Sequence, residues 1–129
     1  MGASVHPSNI KSIAELLAVL VAENGSYAYV DKLGYAQSKD LVMYYLREAL
    51  RDFHSLKNKP KWEKDEAQKR ANNIDMEAVE MSIQNMEKIS GMKELREIVS
   101  LITAKALAIA SKLMKEKGAG PEETSSSGI

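Results

Sequence analysis

Arg47, Arg51 and His54 stand at i, i+4 and i+7, a spacing that puts three cationic or protonatable side chains on one face of a helix. Lys57, Lys59 and Lys61 follow at once, with Trp62 directly after them. Cations neutralise phosphates, and an indole gives an unpaired base a surface to stack on without reading its identity. These residue types therefore point to a grip on the backbone of single-stranded nucleic acid. The same residues have an ordinary alternative. Glu48 and Asp52 interleave with the arginines and offer them surface ion pairs, and Trp62 can serve as a packing anchor.

Other chemistry finds little purchase. The chain has no cysteine, which removes a disulfide scaffold, a thiolate metal site and a cysteine nucleophile together. Its two histidines, His6 and His54, sit in unrelated contexts without a partner at metal-ligand spacing. The carboxylate pairs Glu77 with Glu80 and Asp65 with Glu66 are of the kind that helix surfaces carry in number, and neither shows an apolar pocket that would tune it for acid–base work. There is no nucleophile elbow around any serine and no glycine-rich phosphate loop; the seven glycines read as helix punctuation or tails. No catalytic residue, metal or cofactor is expected, and the chain is expected not to be an enzyme.

Bulk properties narrow the partners. Lys plus Arg and Asp plus Glu balance at 18 each, so any nucleic-acid contact must come from a local patch rather than global charge. No signal peptide is visible in the first ten residues. The longest apolar run, Ile13 to Ala22, is interrupted by Glu15 and falls short of a membrane span. A cytoplasmic protein without membrane contact is expected. Five of the seven aromatic residues are tyrosines, clustered between Tyr27 and Tyr45.

The elements that must carry these residues read as helices. Residues 1–9 look like a flexible lead and 118–129, small and polar, like a disordered tail, leaving one helical domain over 10–117. Ser12 and Glu15 form a capping-box pattern for a first helix that ends at Asn24-Gly25. Tyr27 to Leu33 is read as a short helix, rather than an isolated strand, stopped by Gly34. Ser38 caps a longer helix to Leu56, with Val42, Tyr45, Leu46, Ala49, Leu50 and Phe53 on its buried face. Residues 57–73 form a polar connector that becomes a solvated helix from Trp62 onward. Asp75 caps a helix to Ser90 with Val79, Ile83, Met86 and Ile89 inward, and Gly91 breaks it.

The last helix, Met92 to about Lys117, has a core stripe of Leu95, Ile98, Val99, Ile102, Ala106, Ile109 and Leu113. Leu101, Ala104 and Ala108 give it a second apolar side, which argues for a central position or a subunit interface. The methionines, Met76, Met81, Met86, Met92 and Met114 among them, read as gap-fillers of a core or interface. The sum is an all-α fold, a compact bundle of about four to five helices with disordered termini. Within it, the short helix, the turn at Gly34 and the following helix also have the outline of a helix-turn-helix, with Lys39, Tyr44 and Arg47 toward a groove. Asp40 beside Lys39 puts an acid where DNA contact is expected.

The stretch IAELLAVLVAENGSYAYVDKLGYAQSKDLVMYYLREALRDFHSL, from Ile13 to Leu56, resembles the small subunit of archaeal type I-A CRISPR interference complexes. The similarity lies in the apolar first helix, the tyrosine-rich turn with Asp31 and Gly34, and the YYLREALRDF run; it covers about a third of the chain. The resemblance implies a non-catalytic role in a guide-RNA assembly. Such subunits stack along the backbone subunits and help hold target or displaced single-stranded DNA, while base pairing with the guide reads sequence. The partners it implies are CRISPR backbone subunits, guide RNA, single-stranded DNA bound weakly and without sequence preference, and neighbouring copies of the chain. A helix-turn-helix transcription regulator and a helical adaptor without a nucleic-acid role are the alternatives.

Overall fold

The computed structural model describes residues 7–24, 27–57 and 66–117, with side chains at 10–23, 27–56 and 69–115. The described residues form six helices and no strand: α1 (Pro7–Asn24), α2 (Ala28–Tyr35), α3 (Lys39–Lys57), α4 (Glu66–Asn72), α5 (Met76–Glu87) and α6 (Met92–Lys117). The all-α architecture expected from the apolar spacing is the one observed, with one helix more than anticipated. The expected tail over 118–129 and most of the expected lead lie outside the described residues.

The centre of the bundle is α1, not α6. From Ile13 to Ala22 every residue but Glu15 is buried, so the helix is enclosed on all sides. It packs against α3, α4, α5 and, most extensively, α6. Each enclosed Leu, Ile or Val stabilises the fold by roughly 1.5–3 kcal/mol, so this run, broken only by Glu15, is a major part of the core. The second apolar side of α6, by contrast, faces outward: Leu101 is 59% exposed, and Ala104 and Ala108 are exposed too.

Several boundaries differ from the sequence expectations for identifiable reasons. Helix α1 begins at Pro7, so Ser12 and Glu15 lie inside it and form no capping box. Proline suits a first helical position because its missing N–H would be unpaired there anyway. Glu15 instead accepts from Arg70 of α4 at 2.6 Å. Gly34 does not stop α2. The helix runs to Tyr35 and ends where Ala36 turns extended, its N–H still reaching the Leu33 carbonyl at 3.3 Å.

The predicted cap at Ser38 is present, its Oγ accepting from the Leu41 N–H at 3.2 Å. So is the one at Asp75, whose carboxylate accepts from the Ala78 N–H at 3.2 Å. Helix α5 closes three residues early, at Glu87, but Val79, Ile83, Met86 and Ile89 are all buried as expected. Between them Ser82 is fully enclosed, and it escapes an unpaired hydroxyl by donating to the Ala78 carbonyl at 2.7 Å.

The described end of the connector reaches the core. Helix α4 presses fully buried Ala71 against α1 and α6, and Ile74 follows it into the core. A small residue at the contact lets a polar helix approach closely, which hydrophobic periodicity does not register.

Candidate nucleic-acid interface

Helix α3 carries the site. Its inner face is Val42, Met43, Leu46, Ala49, Phe53 and Leu56, all buried, and Phe53 is fully enclosed. This anchoring fixes the outer face, where Asp40, Tyr44, Arg47, Arg51 and His54 are exposed. The expected grouping of Arg47, Arg51 and His54 is therefore realised: all three line one open hollow of about 480 Å³ with Leu50 and, from α5, Glu80, Ile83 and Gln84.

A larger open groove of about 710 Å³ lies alongside, between α3 and the end of α5. It is lined by Lys39, Asp40, Met43, Tyr44, Arg47, Glu48, Arg51 and Glu87. Three cations and three carboxylates therefore face it, and its formal charge is zero. Arg47 donates to Glu87 of α5. Arg51 donates to Glu48 one turn back on its own helix, at 2.6 Å. Both pairs are at the surface, the arginine side chains 50% and 69% exposed, so each pair is weak enough to exchange partners.

Of the two carboxylates that interleave with the arginines, only Glu48 pairs with one. Asp52 looks the other way and accepts from the Tyr29 hydroxyl of α2. Burial, and then this hydrogen bond to a carboxylate, raise the Tyr29 phenol well above its ordinary range; the charges of Asp52 and Glu48 add to the rise and Arg51 offsets part of it. The Lys32 ammonium lies 5.9 Å from the Tyr29 ring centre and 5.8 Å from that of Tyr45. The tyrosine cluster thus staples α2 to α3.

The aromatic ring beside the arginines is Tyr44, 56% exposed and edge-on to Tyr45 with centroids 5.5 Å apart. The sequence offers Trp62, next to the lysine run, as the ring for stacking, and places Tyr44 only in the helix-turn-helix outline. The place of Tyr44 beside the cations is readable from α3, since it sits one turn before Arg47 and two before Arg51 on the exposed face. Lys59, Lys61 and Trp62, and the side chain of Lys57, lie outside the described residues. Helices α2 and α3 are joined through Ala36, Gln37 and Ser38 and pack on one another, with no glycine in the connection.

The residues assigned to a subunit interface share one exposed face of α6. Leu101 and Ala104 line an open hollow of about 450 Å³ with Ile10 and Lys105. Among the described residues there is no group of three or more His, Asp or Glu side chains placed to hold a metal ion, and no helix long and apolar enough to cross a membrane.

Comparison with known proteins gives one relative. Over 102 residues the chain is 55% identical to an uncharacterized protein of the archaeon Archaeoglobus fulgidus, an alignment covering 79% of this chain and 88% of that one. No family model matches the chain, and no solved structure does.

Proposed function

Since the chain belongs to the same family as this Archaeoglobus fulgidus protein, we propose that it acts in an archaeal setting as the non-catalytic small subunit of a type I-A CRISPR interference complex, steadying single-stranded DNA along α3. One observation carries the reading: Lys39, Tyr44, Arg47 and Arg51 line a single open groove on a rigidly anchored helix. A phosphate backbone laid there finds guanidinium groups in exchangeable surface pairs, and a base finds the Tyr44 ring. The neutral groove sets the strength. Phosphate must displace Glu87 and Glu48, so binding by one copy is weak, salt-sensitive and indifferent to sequence. Such a grip is useful where many weak contacts act together on one strand. The resemblance over Ile13 to Leu56 supplies the assembly in which that occurs.

The test is affinity recovery of the tagged protein from its native cells, with co-purifying protein and RNA identified. Recovery of a guide-RNA–protein assembly supports the proposal; recovery of the protein without RNA rejects it.

A second reading, a helical protein-interaction subunit without nucleic-acid contact, is favoured by the fact that Arg47 and Arg51 already have carboxylate partners. It predicts no binding of single-stranded DNA even at low salt.

A further inference from the structure

Helix α6 has two stripes. One is buried in the core; the other is exposed along its whole length and divides into three zones. Glu94 and Glu97 form an acidic end, Leu101, Ala104 and Ala108 a small apolar centre, and Lys112 and Lys115 a basic end. These residues succeed one another at intervals of three and four, the spacing of a helix-packing seam. Ile10 of α1 broadens the apolar centre beside Leu101.

We propose that this stripe is the contact between two copies of the chain, packed through α6 in antiparallel orientation. The charges choose both the occupant and its direction. Taking a two-fold axis between Ala104 and Lys105, Glu94 lies 10 residues before Ala104 and Lys115 lies 10 after Lys105. Glu97 and Lys112 are each 7 residues from the same axis, and Leu101 and Ala108 each 3. Antiparallel pairing therefore sets Glu94 against Lys115 and Glu97 against Lys112 at both ends, and Leu101 over Ala108 in the middle. Parallel pairing would set acid on acid and base on base. A surface that complements itself under a two-fold rotation is what an isologous dimer requires.

The geometry also permits close packing. Ala104 and Ala108 at the centre allow the helix axes to come within about 8 Å of one another. The seam from residue 94 to 115 is about 32 Å long at the helical rise. Lys105 flanks the axis, where its long stem can lie along the apolar centre with the ammonium in water. The contact is modest in area and its ion pairs are exposed, so the dimer belongs among weak, transient associations. It uses a different helix from the groove on α3, so it stands or falls independently of the nucleic-acid reading.

Sedimentation equilibrium of the full chain tests it, at low and high salt and up to about millimolar protein, the range where weak dimers populate. The wild type should show a monomer–dimer equilibrium that weakens with salt. The charge reversals E94K/E97K and K112E/K115E should each weaken self-association by roughly tenfold or more, since like charges then meet at both ends. Mixing the two reversed variants in equal amounts should restore pairing, because each then carries the charge the other needs. Ala104→Glu should abolish it. All these positions are exposed, and circular dichroism confirms that each variant remains folded. A wild type that stays monomeric at low salt overturns the proposal, and so does a mixture of the reversed variants that fails to pair.

Discussion

Arg47 of α3 donates to the carboxylate of Glu87 at the end of α5, a contact between residues 40 apart in the chain. Both side chains are substantially exposed, 50% and 41%, so the pair contributes about 0–1 kcal/mol to stability. Its larger consequence is competition, because a phosphate that binds Arg47 must do so against Glu87. Glu87→Gln removes that negative charge while keeping the shape. The variant should unfold within about 1 kcal/mol of the wild type and bind single-stranded DNA roughly two- to fivefold more tightly. Fluorescence anisotropy with a labelled oligonucleotide measures this, and unchanged or weaker binding by E87Q would remove the groove from the proposed site.

The number of phosphates gripped is readable from salt. Each phosphate neutralised on a single strand contributes a slope of about −0.7 in log affinity against log salt. Contacts from Arg47 and Arg51 together predict a slope near −1.4, or about a sevenfold loss for a fourfold rise in salt. The double variant R47Q/R51Q should flatten the slope toward zero while leaving the fold intact. A slope that stays as steep in the variant would place the cations elsewhere.

What sequence could and could not reveal follows from range. The caps at Ser38 and Asp75 are three-residue relationships, and both were legible because capping chemistry is local. The inner faces of α3 and α5 were legible because their apolar spacing is helical over several turns. The central position of α1 was harder to see. Its run from Ile13 to Ala22 is apolar all round, and a continuous run specifies burial without saying among which neighbours. The same ambiguity applies to α6, whose second apolar stripe is compatible with either a central helix or an interface; in the fold it faces outward.

The site shows the same division. Arg47, Arg51 and His54 share a face because one helix carries them, which is a matter of counting. Glu87 was invisible as a partner because it arrives from α5 through tertiary packing. Asp52 shows the converse: spacing offers it to the arginines as readily as Glu48, and Tyr29 of α2 claims it from outside the helix. Sequence spacing gives the set of groups a helix can offer, and packing decides which of them are already spoken for.

The contact of α4 offers a test of how closely a polar helix can sit on a core. Ala71 is fully buried where α4 meets α1, with Arg70 beside it donating to Glu15 at 2.6 Å. Ala71→Leu adds three carbons to a site with no space for them and should cost about 1–3 kcal/mol. Ala71→Ser, nearly the same size, should cost less unless its hydroxyl finds no acceptor. Urea unfolding monitored by circular dichroism compares them. Equal stability of A71L and the wild type would mean that α4 stands off from the core.

The Tyr29 to Asp52 hydrogen bond should be visible as a pH dependence of stability on the alkaline side. Burial, followed by the carboxylate partner, keeps the phenol protonated in the fold to higher pH than in the unfolded chain. A group whose folded pKa is raised stabilises fully below its unfolded pKa, about 10 for tyrosine, and loses that contribution as pH climbs from there toward the folded value. Tyr29→Phe removes both the hydrogen bond and the titration. Near neutral pH the variant should be less stable than the wild type by roughly 1 kcal/mol, the worth of one hydrogen bond. Above about pH 10 the gap should narrow, because only the wild type has a phenol there whose ionisation favours the unfolded chain. Denaturant midpoints for both proteins across that range measure it, and the difference cancels the lysines and other tyrosines common to both. A gap that stays constant through pH 10 would mean that the phenol ionises equally in both states and that Asp52 does not hold it.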